Sequence, residues 1–395
     1  MGGMRSSIIG GVWLGLVCSL ALAAPQPIRI GVPGAFTGGS APMGLSMRNG
    51  IRLAAAEINK SGGVLGRPIE LVERDDGGIP ARGIKVAQQL LTQDRVVAVV
   101  GFVNTGVALA ASKNYQDARV PVMLAVATAA ILTRQFPLHG NTDNYIFRVA
   151  AADDLQAPLI VREAVQRSGY RKLAIFADNT NYGYQGLMEL ERALGQNGLK
   201  PSYVARFNLQ ERDMANALLQ ARNAGSQAIL TYAIGPELAE LANTMSRMDW
   251  KVPIIGSWTL SMSNFIDNAG PNGEGARMVQ SYIPAEDDTP RRRDFLDGYQ
   301  WLFHTRRIPS PPSAAQGYDG MKLMAEAIRQ AGSLDGVAIV RALENLRQPV
   351  AGVITTYKQP FSRNDHEALE LNVPVIGKVE RGRVVYAYPA DKPRQ

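Results

Sequence analysis

The 395-residue sequence predicts an α/β protein of two doubly wound lobes with parallel sheets, joined by a hinge of several crossings. Three observations carry that expectation. Short apolar runs alternate with amphipathic segments from Ile28 onward, and the alternation starts afresh at Lys172. Strands that alternate with helices form parallel sheets covered on both faces. The chain behind its N-terminal segment, about 370 residues, exceeds one comfortable hydrophobic core. No low-complexity stretch parts the two rounds, so the lobes are expected to exchange chain rather than hang on a single tether. The division expected is 24–149 with 281–352 for the first lobe, and 150–280 with 353–395 for the second.

The elements follow in order. A strand at Ile28–Val32 runs into the small-residue loop Gly34–Gly44. Met47, Ile51, Ala54 and Ile58 then recur at helical spacing, and Gly62-Gly63 ends that helix, as glycine past a C-terminus does. Val96–Val103 reads as a buried strand, Asn104-Thr105-Gly106 as its exit, and a helix runs on through Ala118. Val120–Ala127 and Tyr145–Val149 are further strands, and a helix follows from about Asp154 to Ser168. The second round has strands at Lys172–Ala177, Tyr203–Phe207, Ala228–Ile234 and Val252–Trp258. Its helices are opened by Asp178–Gly186, marked by Met214, Leu218 and Ala221, and placed at Glu237–Met248. Helices near Gly320–Gln330 and Gly336–Leu346, with strand-like Leu371–Val375 and Arg383–Ala387, complete the chain.

The N-terminus carries Arg5, an apolar run from Ile8 to Leu22, and Ala21-Leu22-Ala23. A basic start, an apolar core and an A-x-A site describe a secretion signal cut near Ala23, and the run is short for a membrane span. Val17 and Gly15 occupy the positions before Cys18 that a lipid-attachment site would fill with a small residue and leucine, so lipidation is not expected. The mature chain then has no cysteine, which excludes disulfides and thiolate metal sites. Net charge is +7, or +6 once Arg5 leaves with the signal. The basic residues are spread out apart from Arg291-Arg292-Arg293 and are not interleaved with aromatics, so they read as solvated surface and not as a nucleic-acid face.

Catalytic signatures are missing. There is no G-x-S-x-G elbow and no phosphate-binding Walker loop, and GVPGAFTGG is not the dinucleotide fingerprint. His139, His304 and His366 lie far apart without acidic or cysteine neighbours at ligand spacing and read as surface residues. Asp75-Asp76, before Gly77-Gly78 and Pro80, read as capping a turn. No cofactor or metal is expected, and a hydrolase would need a nucleophile–base pair that the sequence does not offer. The strand exits instead carry small and hydroxyl residues, at Thr37–Ser40, Asn104–Gly106, Ala127-Thr128 and Asn181-Tyr182-Gly183. In open parallel sheets ligands bind beyond such ends. A helix N-terminus there suits a small anion.

In order and spacing, several segments resemble the leucine/isoleucine/valine-binding proteins, periplasmic receptors of branched-chain amino acid ABC importers with the type I periplasmic-binding-protein fold. They are GAFTGGSAPMG, the NG and INKSGG that follow it, VERDD with Pro80, VVGFVNTG, LTR at 132–134 and YIFR at 145–148. The second lobe adds NYGYQG at 181–186, PE at 236–237 and GSW at 256–258. The match spans nearly all of the mature chain. The resemblance implies a ligand carboxylate held by Thr105, with Gly106 nearby, and by Thr128, with the Val126 carbonyl beside it. It implies cover from Ser40 to Met43, closure by Tyr182, and an acidic residue near the hinge at Asp153. The chain departs from the family where Met43 replaces an aromatic residue and where Ile234 replaces a tyrosine, with Tyr232 two residues back. It departs again where Trp258 replaces the glutamate that pairs with a ligand ammonium. Gly78 and Asn104 stand where the family has its first-lobe disulfide.

Ordinary structural roles compete with these. Thr105 and Thr128 suit helix caps, Tyr182 suits a core aromatic, and Trp258 admits packing and ligand contact equally. The function expected is that of a periplasmic, monomeric solute receptor. It closes on a small carboxylate, either an amino acid or an amine-free aromatic or oxo acid, and delivers it to an inner-membrane ABC permease. A sensory receptor of the same fold is the alternative.

Overall fold

The computed structural model describes residues 26–136, 143–285 and 288–393. The segment expected to be a secretion signal, Cys18 and His139 lie outside the described residues.

The first round comprises β1 (Ile28–Gly34), α1 (Ala41–Lys60), β2 (Ile69–Asp75), α2 (Pro80–Thr92), β3 (Ala98–Gly101), α3 (Thr105–Ala118), β4 (Val122–Leu124), α4 (Ile131–Arg134) and β5 (Ile146–Arg148). Its strands form one parallel sheet in the order β2-β1-β3-β4-β5. The second round comprises α5 (Asp153–Val161), β6 (Leu173–Asp178), α6 (Asn181–Gln196), β7 (Tyr203–Phe207), α7 (Ala215–Asn223), β8 (Ala228–Tyr232), α8 (Gly235–Arg247), β9 (Ile254–Gly256), α9 (Ser263–Ala269) and β10 (Arg277–Gln280). The chain then returns to the first lobe with α10 (Pro290–Phe303), α11 (Pro311–Ala331), α12 (Gly336–Leu343) and the short ribbon β11 (Val350–Ala351) and β12 (Thr356–Tyr357). It ends in the second lobe with β13 (Val375–Glu380) and β14 (Arg383–Tyr386), which give that sheet the order β14-β13-β10-β9-β8-β6-β7. The last two strands run antiparallel to their neighbours and the rest are parallel. This is the mixed α/β, doubly wound architecture that the sequence predicts.

Packing explains the layers. α1 lies on α11 so closely that a Cβ on Gly50 would come within 2.0 Å of the Ala314 carbonyl oxygen, so only glycine permits the contact. Of the predicted stripe, Met47, Ile51 and Ala54 are fully buried there and Ile58, near the helix end, is partly buried against the same core. In the second lobe Leu187, Leu190 and Leu194 cover one face of the sheet, and Leu218, Leu238 and Phe265 the other.

The structure departs from several expectations. The final crossing comes later than residue 353. Tyr357, Phe361, Ala368 and Leu369 belong to the first-lobe core, and the chain reaches the second sheet only at Val375. The fully buried Arg148 explains this, because Nε and Nη2 donate two hydrogen bonds to the Glu367 carboxylate, at 2.7 and 2.5 Å, and hold 362–369 on the edge of β5. His366 is correspondingly a core residue and not a surface one: it is 5% exposed, bonds the Ile146 carbonyl and stacks on Phe147 at 3.8 Å. Within the basic triplet, Arg292 is buried, paired with Asp288 at 2.6 Å and placed over the Tyr282 ring. The strand expected at Leu371–Val375 begins where that range ends.

Candidate functional site

Strand exits from both lobes converge. Asn104 precedes α3, and Thr105 is its first residue. The Thr105 hydroxyl is buried and has no partner among the described residues, so it is not a cap. Thr128 does not cap a helix either, since the next helix starts at Ile131 after Ala130. The Thr128 carbonyl accepts the backbone N–H of Asp153 at 2.9 Å, which ties the β4 exit to the start of α5.

Asp153 is fully buried, and neither carboxylate oxygen meets a described partner in hydrogen-bond geometry. Burial pushes its pKa up to about 7, while the neighbouring Thr128 hydroxyl and Arg148 guanidinium pull in the opposite direction. The Tyr232 hydroxyl is also buried and stands close enough to that carboxylate to interact with it, though outside good hydrogen-bond geometry. Tyr232 itself fits only because position 186 is glycine, where a Cβ would lie 2.0 Å from its ring.

Tyr182 is the second residue of α6, whose N-cap Thr180 accepts from the Gly183 N–H. Its ring lies 5.3 Å from that of Tyr232. Trp258 does not end a strand. The strand stops at Gly256, and Trp258 opens a short 3-10 turn to Ser261. Its backbone N–H reaches Gln156 Oε1 at 3.3 Å, and its buried indole N–H has no described partner. Trp258, Ile234, Met43 and Val126 share one apolar cluster that spans the lobes. The packing role of Trp258 and a role at the interface therefore coexist.

The lobes are closed on each other. Asn264 Nδ2 donates to the Gly39 carbonyl and the Ser263 N–H to that of Pro309, each at 2.9 Å. A Cβ on Gly106 would stand 3.1 Å from Asn181 Oδ1 of the opposite lobe. A crevice of about 460 Å³ marks the mouth, with Ser40 and Asn104 on one side and Ile234 and Glu237 on the other. Ser40 Oγ accepts from Asn104 Nδ2 at 2.9 Å, and Met43 sits in the first turn of α1, so the covering loop is shorter than expected. Gly78 and Asn104 lie against each other, 3.1 Å from a Cβ on Gly78 to Asn104 Oδ1. Asp75 and Asp76 accept the N–H groups of Phe36, Gly77 and Gly78 and the Thr37 hydroxyl, which is a turn-capping role.

Of the residues singled out in the sequence, Met43, Val126 and Trp258 share the cluster that spans the lobes, Ser40 borders the crevice, Gly106 faces Asn181 of the opposite lobe, and Tyr182 and Tyr232 pack together in the second-lobe core. Sequence reasoning missed Gln156 and Ser257. Gln156 stands three residues after Asp153 on one helix, a spacing that places them on a common face. Ser257 carries no local signal. Among the described residues no group of His, Cys, Asp and Glu has a metal-ligand arrangement, and no helix is long and apolar enough to cross a membrane.

Comparison with known proteins agrees with this fold. A family described as periplasmic binding protein matches residues 27–371. The chain is 28% identical over 344 residues to Leu/Ile/Val-binding protein homolog 2 of Brucella abortus, covering 86% of this chain and 88% of that protein. In fold it is similar to the branched-chain amino acid transporter substrate-binding protein LivJ of Streptococcus pneumoniae in complex with isoleucine. There the TM-score is 0.77 at 23% identity, over 91% of this chain and 97% of that one. It is also similar to a solute-binding protein of an ABC transporter from Rhodopseudomonas palustris BisB5 in complex with 3,4-dihydroxybenzoic acid. The TM-score there is 0.76 at 22% identity, over 91% and 95% of the two chains.

Proposed function

The chain belongs to the periplasmic binding protein family, and from that premise we propose that it captures a small carboxylate between its lobes and presents it to an inner-membrane ABC permease. The observation that supports this is the convergence of buried polar groups without protein partners at the lobe interface. They are Thr105 Oγ1, both oxygens of Asp153, the Tyr232 hydroxyl and the Trp258 indole N–H. Each such group costs about 1–3 kcal/mol if it stays unpaired. A ligand that donates to Asp153 and accepts from the others recovers that cost. A carboxylate is suited to the Thr105 and Gly106 end, where the N-terminus of α3 adds backbone N–H groups and a positive dipole end. The rings of Tyr182 and Trp258, with Met43 and Ile234, supply apolar cover.

The ligand class favoured is an amine-free aromatic acid that carries a ring hydroxyl. Trp258 stands where the resemblance places the acidic partner of an ammonium, and an indole stacks on a ring more effectively than it neutralises a cation. Asp153 then accepts from the hydroxyl. The hydroxybenzoate found in the Rhodopseudomonas protein has this chemistry. An amino acid is the second reading, because an ionised Asp153 is also a partner for an ammonium, as the isoleucine of the Streptococcus protein would require. The test is to denature the purified protein, identify the released solute by mass spectrometry, and run a thermal-shift panel of benzoate, hydroxybenzoates, 2-oxo acids, and branched-chain and aromatic amino acids. Stabilisation by hydroxybenzoates is expected. Stabilisation by leucine or valine alone overturns the ligand class, and stabilisation by no carboxylate overturns the site.

A further inference from the structure

A second crevice, of about 540 Å³, is bordered by Ser261 and Gln280. These two residues hold the Trp258 carbonyl, at 2.7 and 3.3 Å. Its walls come from both lobes. Arg306 and Arg307 stand on the loop between α10 and α11 of the first lobe, and Arg381 and Arg383 on the β13–β14 hairpin of the second. None of the described residues lining it is acidic. Arg307 is paired at 2.8 Å with Asp267, beside the crevice, while the Arg306, Arg381 and Arg383 side chains form no ion pair with a described residue. Glu274 accepts the backbone N–H of Arg381, and the exposed Glu380 is paired with Lys378 and more weakly attracted by the Arg381 charge. Tyr282 also lines the crevice. It is 1% exposed, and its hydroxyl has no described partner.

Arg307 is compensated across the lobes by Asp267, but Arg306 of one lobe and Arg381 and Arg383 of the other bring like charge to the same crevice when the lobes come together. A ligand with several carboxylates, reaching Arg306 of one lobe and Arg381 and Arg383 of the other at once, replaces that repulsion with charge-assisted hydrogen bonds that suit the planar fork of arginine. Ile283 and Leu296 offer an apolar wall for its carbon skeleton, and the Tyr282 hydroxyl adds a buried donor.

We propose that this crevice is a second ligand site, for a small organic polyanion of the di- or tricarboxylate class, and that its occupancy favours the closed arrangement of the lobes. In this closed arrangement arginines of both lobes line the crevice, and an anion that bridges them favours closure. Any ligand of the main cleft and the anion must then raise each other's affinity by one common factor. Ser261 and Gln280 provide the physical link, since they line the crevice and fix the backbone of Trp258.

The test uses the full mature protein with citrate as the probe, titrated by calorimetry at constant ionic strength. Four proteins are compared: the parent, R306A/R383A, Y282F, and R162A/R171A. The last removes the same charge at exposed positions elsewhere. The expected result is saturable binding that R306A/R383A weakens by about tenfold or more, as loss of charge-assisted bonds does. Tyr282→Phe should weaken it by a smaller factor, and R162A/R171A should leave it unchanged. Small-angle scattering should show the radius of gyration falling on citrate addition in the parent and not in R306A/R383A. The absence of saturable binding, equal weakening by the control pair, or binding that ignores all the crevice variants would each overturn the proposal.

Discussion

The Tyr182 hydroxyl donates to Ser257 Oγ at 2.6 Å, and this bond decides what Tyr182 offers the cleft. Ser257 in turn donates to Thr259 Oγ1 at 2.9 Å, and Thr259 donates to the Ala233 carbonyl at 2.7 Å. The relay runs in one direction and ends inside the second lobe. The phenol is therefore satisfied by its own lobe and presents its ring face.

Tyr182→Phe should accordingly cost ligand affinity less than about 1 kcal/mol, a net neutral hydrogen bond. Tyr182→Ala removes the ring and should cost roughly 1.5–3 kcal/mol, the worth of a buried aromatic side chain. Calorimetry with the co-purified solute separates the two. Equal losses for both variants would mean that the hydroxyl, not the ring, meets the ligand.

Removing the Thr105 hydroxyl should act on binding and spare the fold. It has no described protein partner, so Thr105→Val should leave the melting temperature of the free protein unchanged or slightly raised. Ligand binding should weaken by about 1–3 kcal/mol. Thr128→Val should weaken binding by a similar amount and in addition shift the titration of Asp153 upward, because that hydroxyl stabilises the carboxylate. If both variants bind as tightly as the parent, neither threonine contacts the ligand.

Asp153 gives the free protein a pH signature. Its carboxyl is raised by burial from 3.8 to about 7, so between those values the folded chain holds a proton that the unfolded chain has lost. The stability this group contributes is present at low pH and fades as pH rises towards 7. Asp76, Asp178 and Asp319, each raised to about 6 by burial, slope the same way. Asp153→Asn should raise the melting temperature at pH 8 and flatten part of the slope between pH 4 and 7. A ligand ammonium would ionise Asp153 and release a proton on binding near neutral pH, whereas a ligand hydroxyl would not. Calorimetry in two buffers of different ionisation enthalpy reads this directly.

The Arg148–Glu367 pair predicts a large stability loss. Glu367→Gln keeps one accepting oxygen but replaces the other with an NH2 that faces the guanidinium, and it removes the counter-charge that Glu367 supplies to the fully buried Arg148, whose Nη1 bonds the Ala129 carbonyl. Breaking one side of such a pair costs about 3–5 kcal/mol. Chemical denaturation should show that loss, and hydrogen exchange should rise first over 362–369. A change below 1 kcal/mol would mean that the segment is held by apolar contacts alone.

Much of the fold was legible, because local pattern and tertiary role coincide where a stripe is plain. The apolar positions of α1 and the buried strands of both lobes fall where their spacing places them. Other elements hide behind their polar residues. In α10 the triplet Arg291-Arg292-Arg293 looks solvated, and only the fold shows that Arg292 turns inward to Asp288 and the Ile283 carbonyl. The burial of His366 depends on Arg148, more than two hundred residues away, and no local pattern reports such a partner. At the site, the sequence could mark hydroxyl and aromatic residues at strand exits. It could not show that the phenol of Tyr182 is already engaged while those of Tyr232 and the carboxyl of Asp153 are not, because those facts depend on angles between elements.

The late return of the chain to the second sheet has a consequence for how the molecule is made. β10, synthesised by residue 280, finds its neighbour β13 only after almost a hundred further residues have emerged, and α11, which covers β3 and β4, is itself a late segment. Neither lobe can finish while the ribosome is still at work. The growing chain carries a first sheet whose strands are all made by Arg148 but which lacks its α11 layer, and a second sheet with an open β10 edge, so the native packing of both halves is completed late, close to the moment of release. A fragment ending at 350 should therefore yield no folded lobe, and a polypeptide that must cross a membrane unfolded would be kept in that state by its own topology.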